Sequence, residues 1–414
     1  MNFLTVLILA AMLADFGIGM AADLLNLKNM GKELPQAFKG WYDPRRYAEA
    51  QQYLMVRTRL GWAVSGVDLA AVLVFWFAGG FAWLDGWVRG FHWGPIGSGI
   101  LFIATLLAIK AALDEPFSLY STFVVEARFG FNRTTWGTYL MDRLKGAALA
   151  AVLGGPLLAA VLAFFEYAGP NAWWACWLVV TVFMLAVQYI APTWIMPLFN
   201  RFEELPQGAL RDAITAYALK IDFQLDNIFV MDGSKRSTKS NAFFTGFGRH
   251  RRIVLFDTLI DRHETSELVS VLAHEMGHYK LKHIAKMMAA GIGQAGLMFF
   301  ILSYFISYPP LFHAFYLNQV SVYAGLVLFG MLYAPLDGFL GLVNQSLSRR
   351  NEYAADGFAV QTASEPRAMI AALKKLSMNN LSNLQPHPFY VFLHYSHPPV
   401  LQRIEAIEKE LGEK

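Results

Sequence analysis

Only one cysteine, Cys176, occurs in 414 residues, so no intramolecular disulfide can form and cysteine pairing says nothing about compartment. It lies within an apolar run and reads as a small buried residue. Charge is scarce as well. Asp, Glu, Lys and Arg make up 16% of the chain against 56% hydrophobic residues, which excludes an ordinary soluble protein. The net charge of +3 is too small to point to nucleic acid, and no such partner is expected. Internal repeats and low-complexity tracts are not evident. Long apolar runs are abundant, and they make the lipid bilayer the expected surrounding.

Residues 3–22 are apolar apart from Asp15 and long enough to cross the hydrocarbon core as a helix. Small residues at Ala21 and Ala22 suggest a cleaved signal peptide, but no Lys or Arg precedes the run, and the anchor reading is preferred. Further spans are expected near 62–84, 94–113, 146–168, 172–193, 287–308 and 320–343, which makes the fold class mainly α with seven membrane helices. The loops at 26–60 and 114–145 hold Lys28, Lys32, Lys39, Arg45, Arg46, Arg57, Arg59, Arg128, Arg133, Arg143 and Lys145, whereas the alternate loops hold only Arg89. The positive-inside rule therefore places the basic loops in the cytoplasm, the N-terminus outside, and the 200–285 segment and the C-terminal tail inside. Asp15, Asp68, Lys110, Gln188, Gln294 and Asp337 sit within spans, where they either face a hydrated chamber or pair locally. Pro335 is expected to kink span seven or free a carbonyl.

The chain divides into 1–199 with spans one to five, a long polar insertion at 200–285, spans six and seven at 286–343, and a C-terminal part at 344–414. Within the insertion, 208–220 reads as an amphipathic helix, and 227–231 and 251–256 read as strands. The aromatic, glycine-punctuated stretch Asn241 to Gly248, including Ala242 and Phe243, is either an edge strand able to pair with a peptide backbone or a plain hairpin arm.

Residues 274–278 read H-E-x-x-H. On a helix, His274 and His278 share a face and can offer nitrogens to one ion, with Glu275 beside a bound water. Zinc with three protein ligands keeps a fourth position for water, lowers its pKa and polarises a carbonyl. Chance places this motif in roughly one chain of this length in a hundred, so a third ligand has to be found. Glu352 is the expected third ligand. Its i+4 neighbour Asp356 is better suited to accept the outer N–H of a ligating histidine. The helix carrying H-E-x-x-H is expected to start near residues 264–266 and to run through Lys280, Lys282 and Lys286 into span six. His397, stiffened by Pro398 and Pro399 ahead of a final amphipathic helix, is either an oxyanion donor or a surface histidine. His92, His250, His263, His283, His313, His387 and His394 are expected at the surface.

Taken in order, Ser240 to Gly248, His274 to His278, Glu352 to Asp356 and Ser396 to Pro399 resemble the motifs of the type I CAAX prenyl endopeptidases, integral-membrane zinc gluzincins. The stretches Pro116 to Glu126, Phe129 to Asn132 and Pro197 to Asn200 are similar too. The resemblance covers nearly the whole chain and implies a seven-helix barrel around an intramembrane chamber, capped by a small α+β zinc protease domain. It implies one zinc ion held by His274, His278 and Glu352, Glu275 as catalytic base, Asn241 and Ala242 on the substrate-pairing strand, and His397 at the scissile carbonyl. The expected partners are the bilayer and a peptide or protein substrate, prenylated at its C-terminus or otherwise membrane-associated. The tail ends Gly412-Glu413-Lys414 without a dilysine retention signal and the long loops of eukaryotic members are absent, so a bacterial inner-membrane homologue is expected rather than one of the endoplasmic reticulum. Two other readings share these features: a heat-shock-type quality-control metalloprotease and a non-enzymatic channel or transporter.

Overall fold

The computed structural model describes residues 2–31, 33–225, 227–247 and 250–412. Lys32 of the first basic loop, Gly248 of the aromatic stretch and the Glu413-Lys414 tail lie outside these residues, as does the side chain of His250.

Among the described residues, seven helices are long and apolar enough to cross a membrane: Phe3–Lys28, Pro44–Phe77, Gly94–Glu126, Trp136–Ala168, Trp173–Leu198, His283–Phe305 and Val322–Thr362. They are called spans one to seven. Several outrun their apolar stretch, because hydropathy marks only the part in hydrocarbon. Span two starts at Pro44, 18 residues before the expected boundary. Asp43 caps it by accepting from the Arg45 and Arg46 amides, and proline at the first helical position costs no hydrogen bond. It stops before Gly79, whose φ of +76° ends the helix. The polar end of span one is also occupied: Asp23 accepts from the indole N–H of Trp62, and Asn26 Oδ1 accepts from the His387 amide and from Asn383 Nδ2.

Contacts between distant segments sort the connections into two ends. Asn2 Nδ2 donates to the Pro310 carbonyl and Trp76 Nε1 to that of Ala314, which gathers the N-terminus and the 306–321 connection at one end. At the other end Asn29 reaches Gln385, Arg236 forms a two-bond pair with Asp142 at 2.8 Å, and Asn132 bridges Ser237. The 200–285 insertion, both basic loops and the C-terminal part therefore share one end, and the N-terminus lies at the other.

Within the spans, local pairing explains half of the polar residues. Lys110 lies 3.1 Å from Asp68 and also contacts Asp114, and Gln294 and Asn344 exchange two amide hydrogen bonds between spans six and seven. Asp15, Gln188 and Asp337 are exposed. Pro335 lies inside span seven, which continues past it to Thr362 as one 41-residue helix.

The insertion builds a four-stranded sheet in the order β1-β2-β4-β3, with β1 at Phe202–Glu204, β2 at Asn227–Met231, β3 at Ala242–Phe247 and β4 at His250–Phe256. β2 and β4 run parallel, while β1 and β3 are antiparallel edges. The expected helix is found at Ala209–Lys220. β1 was not expected: three residues, Phe-Glu-Glu, are too short and too charged for a pattern to show. Alternation along β3 sends Ala242 and Phe244 into the core shared with the H-E-x-x-H helix and Phe243 to the opposite face, against Phe256.

One expectation fails. The H-E-x-x-H helix, Thr265–Lys280, does not run into span six. It begins with a capping box between Glu264 and Glu267 and stops at Lys280; Lys282 adopts φ +60°, and a new helix starts at His283. A left-handed residue cannot continue an α-helix, so the chain turns there.

Candidate metal centre and active site

Two helices make the site. Gly277 lets them approach: a Cβ at that position would lie 3.1 Å from Phe358 Cδ1 and 3.3 Å from the Ala355 carbonyl oxygen. This brings the second face of span seven, with Glu352 and Asp356 on successive turns, against His274 and His278. Nε2 of His274 and Nε2 of His278 are 3.1 Å apart. Glu352 Oε2 is 3.4 Å from the first and Oε1 is 3.2 Å from the second. Behind them, His274 Nδ1 lies 2.8 Å from Asp356 Oδ1, the position expected for a carboxylate that fixes the histidine's ring.

The donor set fits a zinc ion. A tetrahedron with bonds of about 2.0–2.2 Å has edges of roughly 3.3–3.6 Å; one Glu352 oxygen lies 3.4 Å from His274 Nε2 and the other 3.2 Å from His278 Nε2, and one ligand atom from each of the three residues lies within 4.8 Å of the others. Glu352 Oε2 is buried and has no hydrogen-bond donor of good geometry, although His397 Nδ1 lies 2.8 Å away. Electrostatics agree. Burial disfavours charge on His274, yet the carboxylates of Asp356 and Glu352 beside its ring outweigh this and push its pKa up to about 9. A buried place that attracts a proton so strongly is one that favours a cation.

Glu275 projects from the same turn, and burial is the largest influence on it, raising its pKa above the usual carboxylate value. His397 is 64% exposed and stands at the open side of the cluster beside Glu352. Asn241 is exposed at the start of β3; its side-chain oxygen accepts from the Ala242 amide and its carbonyl from the Phe256 amide. The outer edge of β3 has no strand partner among the described residues.

Three residues were missed or misplaced by the sequence reading. Arg403, on the last helix Val400–Glu410, grips Asp356 through Nε and Nη2 at 2.8 and 2.6 Å and lies 3.6 Å from Glu352. Its signal was an arginine set between Leu401 and Ile404 on the apolar side of that helix. His283 is buried rather than superficial, and its Nδ1 meets His278 Nδ1 at 3.1 Å. His263 is also buried, with Nδ1 3.0 Å from the Leu259 carbonyl oxygen. Neither departs from the polar, lysine-rich or acidic surroundings that made the surface reading natural.

Residues 23–201 match the family model for the CAAX prenyl protease N-terminal region with five membrane helices, and residues 204–411 match peptidase family M48. CAAX prenyl protease 1 homologs from Oryza sativa subsp. japonica and Homo sapiens are 38% and 32% identical, covering 75% and 74% of this chain and 73% and 72% of theirs. The chain belongs to the CAAX prenyl protease 1 family. The crystal structure of S. mikatae Ste24p superimposes with a TM-score of 0.91 at 30% identity, covering 98% of this chain and 99% of that one. As a member of this family, the protein is a multi-pass membrane zinc metalloendopeptidase of the CAAX type, and its H-E-x-x-H lies within the M48 match.

Proposed function

We propose that the enzyme cleaves near the C-terminus of a prenylated, membrane-associated peptide or protein, using one zinc ion held by His274, His278 and Glu352. The observation that carries this reading is the meeting of three ligand atoms from two separate helices, with Glu275 on the adjoining turn. Zinc bound there would supply a water of lowered pKa and a Lewis acid for the scissile carbonyl. Glu275 takes the proton of the attacking water and returns it to the amine as the C–N bond breaks; its burial lifts its proton affinity toward that task. Asp356, clamped by Arg403, fixes the His274 ring. His397 faces the scissile carbonyl from the open side, and the free edge of β3, at Asn241, Ala242 and Phe243, pairs with the substrate backbone.

A cavity of about 440 Å³ opens beside His278, lined by Met184, Leu185, Gln188, Met287 and Met288 among others. Its apolar, thioether-rich wall suits a lipid-bearing substrate. The four segments drawn from the sequence remain the working domain division, and the protease end is assigned to the cytoplasm by the basic loops that share it.

Cleavage of one C-terminal peptide in farnesylated and unmodified forms tests the reading, with purified protein in detergent. The farnesylated form alone should be cut, and equal cleavage of both would move the role to general membrane-protein processing. Glu275→Gln should keep zinc and lose turnover by a factor of about 10² or more. Unchanged turnover in that variant, or full zinc occupancy in Glu352→Ala, would contradict the residue assignments.

A further inference from the structure

His278 has an outer partner as unusual as that of His274 is ordinary. A ligating histidine donates its second N–H to a carboxylate, a carbonyl or water in most metal sites. Asp356 does this for His274, but the group facing His278 Nδ1 is another imidazole, Nδ1 of His283 at 3.1 Å, with the rings at 73°. The contact is not a by-product of helix geometry. On an uninterrupted helix, residues five apart point about 140° away from each other. His283 reaches His278 because the chain breaks at Lys282, a non-glycine residue held at φ +60°. Left-handed backbone at such a residue is disfavoured by about 1 kcal/mol or more, and such strain clusters at functional positions. His283 is 5% exposed and is the first residue of span six.

We infer that His283 is a positioning residue for the metal centre: it holds the ring of His278 so that Nε2 stays turned toward His274 and Glu352. This rests on the proposed reading of His278 as a ligand. A neutral imidazole has one N–H and one lone pair. If Nε2 of His278 offers its lone pair, its proton is on Nδ1 and is donated to Nδ1 of His283, which must then carry its own proton on Nε2. One hydrogen bond thus sets the tautomer of both rings, and the strained turn at Lys282 is what delivers the acceptor. The two metal histidines are consequently held by different bodies, His274 by span seven through Asp356 and His278 by the start of span six.

The test is the rate at which the zinc-loaded full-length protein in detergent loses metal to a chelator, read as zinc content over time. His283→Phe keeps the bulk and removes the acceptor, and should weaken zinc retention about 10- to 100-fold. His283→Asn, whose side-chain oxygen can sit near the Nδ1 position, should restore most of it. Wild-type retention in His283→Phe overturns the inference. Should that variant fail to fold, the turn gives the same answer without altering the ring. Lys282→Gly should retain zinc normally, whereas Lys282→Val, β-branched at positive φ, should lose it faster; wild-type retention in Lys282→Val overturns the inference as well. His278→Ala, measured alongside, separates the two levels. If it keeps zinc, the ligand assignment itself is wrong; if it loses zinc while His283→Phe does not, only the role of His283 falls.

Discussion

Arg403 secures the carboxylate that stands behind the metal centre. Its guanidinium makes two parallel bonds to Asp356, both groups are largely buried, and Asp356 in turn holds His274. Truncation would leave a buried carboxylate without its cation, a change that costs about 3–5 kcal/mol in comparable pairs. Arg403→Ala should therefore lower the melting temperature and weaken zinc retention about 10- to 100-fold. Arg403→Lys should recover only part of this, since an ammonium cannot form the two-pronged bond. Zinc content after a timed chelator exposure, with thermal unfolding in parallel, checks both, and equal behaviour of the Lys variant and the wild type would show that charge alone matters. His274, Glu275 and His278 could be picked out as candidates before any coordinates because H-E-x-x-H restricts both residue type and spacing, and Glu352 through its i+4 partner Asp356 and the motif they share. Arg403 and His283 could not, since their roles depend on which helix faces which, and neither sits at a diagnostic spacing from its partner.

At the scale of elements, β3 is tied to the membrane helices immediately before it begins. Lys239 Nζ lies 2.8 Å from Glu126 at the end of span three and 2.7 Å from the hydroxyl of Tyr53 in span two, and that hydroxyl also bonds Glu126. On the other side of the strand's start, Asn380 makes reciprocal bonds with the Ser240 amide and carbonyl. Lys239 and Glu126 are partly buried, so their charge-assisted bond escapes most of the screening that weakens surface pairs. Lys239→Met should destabilise the protein by about 1–3 kcal/mol and speed amide exchange along β3. A double-mutant cycle with Glu126→Gln should show coupling of about 1 kcal/mol or more, and purely additive effects would mean that the pair does not hold the strand. The strands β2 and β4 and the helix at Ala209–Lys220 were legible because their periodicity is strong. The break at Lys282 was not, because Tyr-Lys-Leu-Lys contains no glycine or proline to announce a turn.

For the whole molecule, five crossings separate the N-terminus from the 200–285 insertion and seven separate it from the C-terminal part, so both lie opposite the N-terminus, and the charge of the loops chooses between the two orientations. Cys176 is the only cysteine and is fully buried, so the native chain offers a silent background for labelling. Asn318→Cys, in the connection between spans six and seven, should react with a membrane-impermeant thiol reagent added outside intact cells, whereas Arg128→Cys should react only after permeabilisation. The reverse pattern would invert the assigned orientation while leaving the chemistry untouched.

Span seven gives this arrangement a mechanical side. Glu352 lies 30 residues beyond Val322 on an unbroken helix, a lever arm of about 45 Å. Tilting that rod by one degree about its far end carries the carboxylate about 0.8 Å. The close seat of Gly277 keeps the H-E-x-x-H helix against span seven, and Ala242 and Phe244 pack β3 on that same helix, so ligands and strand edge belong to one packed unit at the end of the rod. Helices adjust their tilt when the hydrocarbon layer thickens or thins, and any tilt of so long a rod is felt most at the end that carries Glu352.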